Sequence, residues 1–116
     1  LGSVASRQSY AGGNVYCATK AAVRMLGECL KQDLLGSPVR VTTIEPGMVE
    51  TEFSVVRFRG DRDRADRVYQ GMTPMTGDDI ADTVVFCLTR PAHVNISEVV
   101  MLATDQAAAA TVYRRS

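Results

Sequence analysis

Tyr16 and Lys20 stand four residues apart in Tyr16-Cys17-Ala18-Thr19-Lys20, and Ala21-Ala22 follows. On a helix that spacing puts both side chains on one face, one turn apart. A free tyrosine hydroxyl has a pKa of about 10 and exchanges protons poorly near neutrality. An ammonium group close by favours phenolate. A tyrosine so placed can pass a proton to or from a substrate oxygen. The plain alternative is a Tyr and a Lys that share a helix face by chance.

The elements around the pair decide between these readings. Ser3 lies thirteen residues before Tyr16, in the small-residue stretch Gly2-Ser3-Val4-Ala5-Ser6. Leu1 to Ser6 reads as the end of a buried parallel strand feeding a loop, and ligands of open α/β sheets gather at such strand ends. The Ser3 hydroxyl would there hydrogen-bond a substrate oxygen. A loop or capping role is the alternative for any one serine, and Ser6 and Ser9 compete. Arg7 to Gly13 is a polar, Gly-rich loop in which Tyr10 either walls a substrate or packs locally. Asn14 suits an N-cap. Val15, Ala18, Ala22, Met25, Leu26, Cys29, Leu30 and Leu34 recur at three- and four-residue steps and predict a helix to about Leu35. Gly36-Ser37-Pro38 stops it. Val39 to Ile44, rich in β-branched residues between Pro38 and Pro46, reads as a strand and completes a right-handed βαβ unit. Pro46-Gly47 then turns the chain at the strand's carboxyl end.

From Thr51 to Thr73, Arg57, Arg59, Arg62, Arg64 and Arg67 interleave with Asp61, Asp63 and Asp66. Such a run reads first as a solvated helix face with local ion pairs. The sharper reading is that Arg57, favoured over Arg59, holds a carboxylate with its planar guanidinium. Thr76-Gly77-Asp78-Asp79 has the form of a capping start, with Asp where Glu is usual. Ile80, Val84, Cys87 and Leu88 mark the face of the helix that follows, and Pro91 ends it. His93 is the single histidine and has no second ligand at metal spacing, so a structural role is expected and no metal site is assigned. Glu98 to Leu102 is a short apolar strand. Ala107 to Ala110 and Arg114-Arg115 form a tail that either reaches a neighbouring subunit or is disordered.

Ser3, Tyr16 and Lys20, followed by Pro46, Gly47 and Thr51, resemble in order and spacing the classical branch of the short-chain dehydrogenase/reductase family. The likeness extends over nearly the whole chain. Tyr10-Ala11-Gly12-Gly13-Asn14-Val15-Tyr16, Glu45-Pro46-Gly47, Thr51-Glu52-Phe53-Ser54, Val56-Arg57-Phe58 and Pro91-Ala92-His93-Val94-Asn95-Ile96 look like the NADP-dependent 3-hydroxy acid dehydrogenases that act on serine and allo-threonine. The resemblance implies a catalytic set of Ser3, Tyr16 and Lys20. Tyr16, Lys20, Pro46, Gly47, Val49 and Thr51 would meet the cofactor, with Thr51 capping the next helix as its alternative role. Ser3, Tyr10 and Arg57 would meet a small-molecule substrate. The Thr51 to Thr73 segment would be the substrate lid. NADP is the implied cofactor and NAD the alternative. The resemblance further implies a homo-oligomer, dimer or tetramer, packed through the long helix. Two rivals stand beside this reading: a classical reductase of sugars, steroids or acyl ketones, and a non-catalytic remnant or assembly half.

Thirteen basic and thirteen acidic residues cancel, which argues against a nucleic-acid or anionic-membrane surface. No apolar run approaches the roughly 20 residues that span a bilayer. Cys17, Cys29 and Cys87 are odd in number and lack metal spacing, which fits a reduced, cytoplasmic protein. Cys17, beside Tyr16, reads as a small buried filler. Neither G-x-x-x-G-x-G nor G-x-G-x-x-G occurs; the Gly12-Gly13 pair is the nearest approach. The family's active-site Asn is absent too. The expected fold class is therefore α/β: the C-terminal portion of a Rossmann-like doubly wound parallel sheet with the N-terminal nucleotide-binding half missing. Residues 1–116 would form a partial domain. The intact mass of the protein as its source produces it checks this: about twice this chain's 12.6 kDa is expected. A mass equal to this chain's would overturn the enzyme reading.

Overall fold

The computed structural model describes residues 1–116. Helix α1 spans Asn14–Asp33, α2 Phe53–Arg57, α3 Arg62–Val68 and α4 Gly77–Leu88. The strands are β1 Thr43–Pro46, β2 Val49–Glu50, β3 Met75–Thr76, β4 Glu98–Met101, β5 Gln106–Ala108 and β6 Thr111–Val112. β1 pairs in parallel with β4, Ile44 opposite Val99. β2 pairs in parallel with β3, and β5 with β6 form an antiparallel hairpin. No helix is long and apolar enough to cross a membrane.

Several boundaries differ from the sequence reading. Leu1 to Ser6 forms no strand. Gly2 N–H donates to the Ile44 carbonyl at 2.7 Å, and Val4–Ser6 then tightens into a 3₁₀ turn capped by the Ser3 hydroxyl. Gly13, not Asn14, is the N-cap of α1; the Asn14 side chain, already inside the helix, accepts from Val15 N–H. Val39 to Thr42 lies outside β1, because side chains satisfy its backbone in place of a strand. Asn95 brackets Val41 through both its N–H and its carbonyl. The Arg40 guanidinium binds the Leu88, Arg90, Pro91 and Val94 carbonyls, closing the end of α4. The tail is ordered, folded back as the β5–β6 hairpin. The capping box of α4 has the expected form, with Asp79 returning to the Thr76 N–H at 2.7 Å.

The core holds Ile44, Met72, Met75, Ile80, Cys87 and Ala103, between the β1–β4 pair and α4. It is thin: 16 of 116 residues are buried. The radius of gyration is 15.7 Å, against about 13 Å for a compact domain of this size. Much of the apolar face of α1 is therefore open within this chain; Val15 is 72% and Leu26 58% exposed, and Gly27 is the helix's one buried residue. Leu88, expected on the covered face of α4, is exposed for the same reason. His93 is exposed beyond α4, with no partner to give it the anchoring role expected of it.

An ionic cluster holds the elements that carry the chemistry. Glu45, on β1, is fully buried. Its two oxygens accept from Ser6 Oγ and Arg7 Nε, both at 2.7 Å. Arg7 also pairs with Glu98 on β4. Arg24 of α1 approaches Glu45 at 3.7 Å and Glu98 at 3.6 Å, and pairs with Glu28 at 3.2 Å. The hydrogen bond to Glu45 holds the Arg7 guanidinium above its usual range against the opposing effect of burial. Burial would raise Glu98, but the hydrogen bond and charge of Arg7, with Arg24 and Lys31, bring it below the usual carboxylate range. The cluster thus joins the Ser3 turn, α1, β1 and β4. Removing one partner of a buried ion pair strands the other charge, at a cost of about 3–5 kcal/mol. Arg7 and Arg24 keep some solvent contact, so Glu45→Ala is expected to cost about 3 kcal/mol, read by urea unfolding of the protein that carries this chain. A loss below about 1 kcal/mol would show that the cluster is not structural.

Candidate active site

A cleft of about 550 Å³ opens beside the carboxyl end of β1, within the roughly 300–1,000 Å³ range of small-molecule sites. Ser3, Tyr10, Tyr16, Lys20, Pro46, Gly47, Val49, Thr51 and Arg57 all line it. Arg59, the weaker candidate, is not among the lining residues; it sits at φ +54° past the end of α2.

Helix α1 supplies the pair at its first turns. The Lys20 ammonium lies 5.7 Å from the centre of the Tyr16 ring, as their spacing requires. Phe53 of α2 also packs against Tyr16, with ring centres 5.9 Å apart. Ser3 is buried at the foot of the cleft, and its hydroxyl accepts from Ala5 N–H at 3.1 Å. That bond occupies an acceptor lone pair and leaves the hydroxyl proton free to donate. Tyr10 packs over Gly13: a Cβ there would lie 2.5 Å from the ring, so the loop closes on glycine. Cys17 is half-buried, its Sγ 3.9 Å from the Gln8 carbonyl, and so is not the buried filler expected.

β1 ends in the Pro46-Gly47 turn. Gly47 N–H donates to the Met101 carbonyl at 2.7 Å. The Gln106 side chain lies so close over Gly47 that no Cβ would fit. Gln106 Oε1 accepts from Met48 N–H at 2.9 Å, which locks the turn. Glu52, not Thr51, is the N-cap of α2; Thr51 precedes it, its Oγ1 accepting from Phe53 N–H at 3.2 Å, and lines the cleft.

The lid comprises α2 and α3. Ion pairs were expected along its arginine-aspartate run, and none forms. Arg57 and Arg64 flank the Phe58 ring instead, at 5.5 and 4.4 Å from its centre, and Asp61 spends its carboxylate capping α3. A guanidinium over an aromatic face keeps its charge available. Two residues given no role by the sequence hold the lid in place. Tyr69 donates to the Val49 carbonyl at 2.9 Å and shares a 3.0 Å hydrogen bond with the buried Ser54. Tyr69, Ser54 and Gln106 all line the cleft, and sequence reasoning missed them. The lining contains two cations, Lys20 and Arg57, and no carboxylate, so the cleft favours anionic ligands.

A family model described as short chain dehydrogenase matches residues 1–61. The chain belongs to the short-chain dehydrogenase family. It is 44% identical over 99% of its length to an NADP-dependent 3-hydroxy acid dehydrogenase of Schizosaccharomyces pombe, covering 44% of that protein. A serine 3-dehydrogenase of Agrobacterium fabrum is 46% identical over the whole of this chain, which covers 47% of it. Among solved structures, the closed form of serine dehydrogenase complexed with NADP+ superposes with a TM-score of 0.91 at 47% identity, over 99% of this chain and 47% of that one. The chain spans about half the length of the curated relatives it matches. It therefore carries part of the family's Rossmann-like α/β fold, as the sequence reading expected.

The base of the lid is tied to the tail. Asp105 takes a bidentate Arg115 guanidinium at 2.7 and 2.9 Å and the Thr73 N–H at 2.8 Å. Arg115 N–H donates to the Gly71 carbonyl at 2.7 Å. The Arg115 hydrogen bond, then that from Thr73, lowers Asp105 from 3.8 to about 2. A carboxyl lowered on folding stabilises the fold above its unfolded pKa and loses that contribution as pH falls through the folded one. The melting-temperature gap between the parent protein and Asp105→Asn is thus expected to be flat above about pH 4 and to close toward pH 2. A gap that does not change over that window would show that Asp105 is not clasped.

Proposed function

We propose that the protein carrying this chain is an NADP-dependent dehydrogenase of small 3-hydroxy acids. The observation that carries the proposal is the cleft. It gathers a tyrosine–lysine pair, a serine hydroxyl and a free guanidinium around a glycine turn, with no carboxylate among them. The names of the similar proteins, 3-hydroxy acid dehydrogenase and serine 3-dehydrogenase, support the same reading.

The residues present fit the nicotinamide end of such a cofactor. Gly47 leaves room for the Gln106 amide that fixes the turn, and Val49 and Thr51 line the cleft beside it. Lys20 offers an ammonium to ribose hydroxyls. NADP, when bound, supplies the hydride acceptor or donor. The chain's own residues manage the proton and the geometry. Ser3 donates to the substrate oxygen and orients it. Tyr16 takes the proton from the alcohol in oxidation and returns it in reduction. Lys20 sets its ammonium 5.7 Å from the centre of the Tyr16 ring, beside the proton-transfer site. Arg57 holds the substrate carboxylate from the lid. Phe53 and Tyr69 supply aromatic walls. A homo-oligomer packed through the open face of α1 and a cytoplasmic location belong to the same proposal.

Tyr16→Phe is expected to lower turnover of a 3-hydroxy acid by about 10²–10⁴-fold. The affinity for NADP+, measured by calorimetry, should change less than about threefold. Retained turnover would remove Tyr16 from the mechanism. Arg57→Ala separates the rival reductases: a reader of carboxylates loses affinity for the hydroxy acid, whereas a reductase of apolar ketones keeps its rate.

A further inference from the structure

Gln106 is 5% exposed and lines the cleft. Its amide has a determined orientation, because the Met48 N–H at 2.9 Å must meet an acceptor, and that is Oε1. The Nε2 end, with two donors, is turned the other way. It has no partner in the chain, yet it is not among the polar atoms sealed from solvent. A buried residue that commits one end of its amide and leaves the other unpaired beside a cavity is placed to receive a ligand. Gln106 begins β5, and the β5–β6 turn that follows reaches the cleft wall. Ala109 N–H donates to Gln8 Oε1 at 2.7 Å, and Ala109 and Ala110 line the wall. Gln106 therefore joins the Pro46-Gly47 turn to the segment whose next turn, at Ala109, binds Gln8.

We propose that Gln106 is a specificity-determining residue whose Nε2 donates to the substrate carboxylate while its Oε1 holds the Pro46-Gly47-Met48 turn. The proposal rests on the 3-hydroxy acid reading of the cleft and deepens it. The carboxylate is favoured because the lining offers cations and donors but no acid, and Arg57 has no ion-pair partner. A neutral amide donor gains most from a charged acceptor. Gln106 and Arg57 would grip the carboxylate from two elements, the tail loop and the lid.

The test is Gln106→Glu in the protein that carries this chain. A glutamate still accepts from Met48 N–H but presents oxygen to the substrate. The ratio of kcat/KM for a 3-hydroxy acid over that for the matched alcohol lacking the carboxylate should fall at least about tenfold, with KM carrying most of the loss. NADP+ affinity should hold within about threefold. An unchanged ratio overturns the proposal, and so does weakened NADP+ binding at an unchanged ratio, which would assign the donors to the cofactor. A second readout needs no variant: titration of 3-hydroxypropionate into the NADP+ complex should shift the Gln106 side-chain amide resonances saturably. No shift overturns the proposal. A shift without turnover overturns the functional reading and leaves the carboxylate contact standing.

Discussion

The burial of Glu45 is the constraint on which the remaining geometry rests. A carboxylate wholly removed from water must be matched by donors and positive charge. Those partners come from separate segments: Ser6 and Arg7 from the turn after Ser3, and Arg24 from the helix that carries Tyr16 and Lys20. Glu45 itself is the residue before Pro46-Gly47. One buried charge thus ties together the three stretches that meet at the cleft. Arg24 Nε remains without a hydrogen bond at 3.6–3.7 Å from its carboxylates, so Arg24 acts here through charge more than through directed bonding.

A division of labour follows around the cleft. Its foot is rigid, set by the parallel β1–β4 pair and the ionic cluster. Its roof is a pair of short helices, joined to each other by Ser54 and Tyr69 and to the foot by Tyr69 on the Val49 carbonyl and Phe53 against Tyr16. Short helices gain little from their own hydrogen bonds and depend on tertiary packing. Asp105 and Arg115 hold the base of this roof to the tail. Lys20 on α1 and Arg57 on the roof, neither paired with a carboxylate, put positive charge on both sides of the cleft.

The parts legible in the sequence were those whose signal is local. Tyr16 and Lys20 at four residues, the Pro46-Gly47 stop after a β-branched run, and Thr76 with Asp79 each depend on neighbours within one turn of chain. The helix α1 was readable from its period, yet its cap was not, because glycine and asparagine are both acceptable there and only the backbone angle chooses. The strand before Pro46 was placed too early. Val39 and Val41 have strand propensity, but the Asn95 side chain, fifty-four residues on, took both backbone groups of Val41, and Arg40 turned its guanidinium to the carbonyls at the end of α4.

By itself the sequence determined the chemistry available: a phenol beside an ammonium, a serine at family spacing, a glycine where backbone must approach closely, and arginines on a segment without ordered apolar periodicity. Only the tertiary structure decided which of these meet. It turned Arg57 into the cleft and left Arg59 out, and it let arginines cover Phe58 instead of pairing with their aspartates. It also added Gln106, fifty-eight residues beyond the Met48 N–H that it accepts from. The physical reason is range. Helix faces, caps and turns are set by interactions within a few residues, whereas a cleft is set by which distant groups satisfy one another's buried charge and hydrogen bonds.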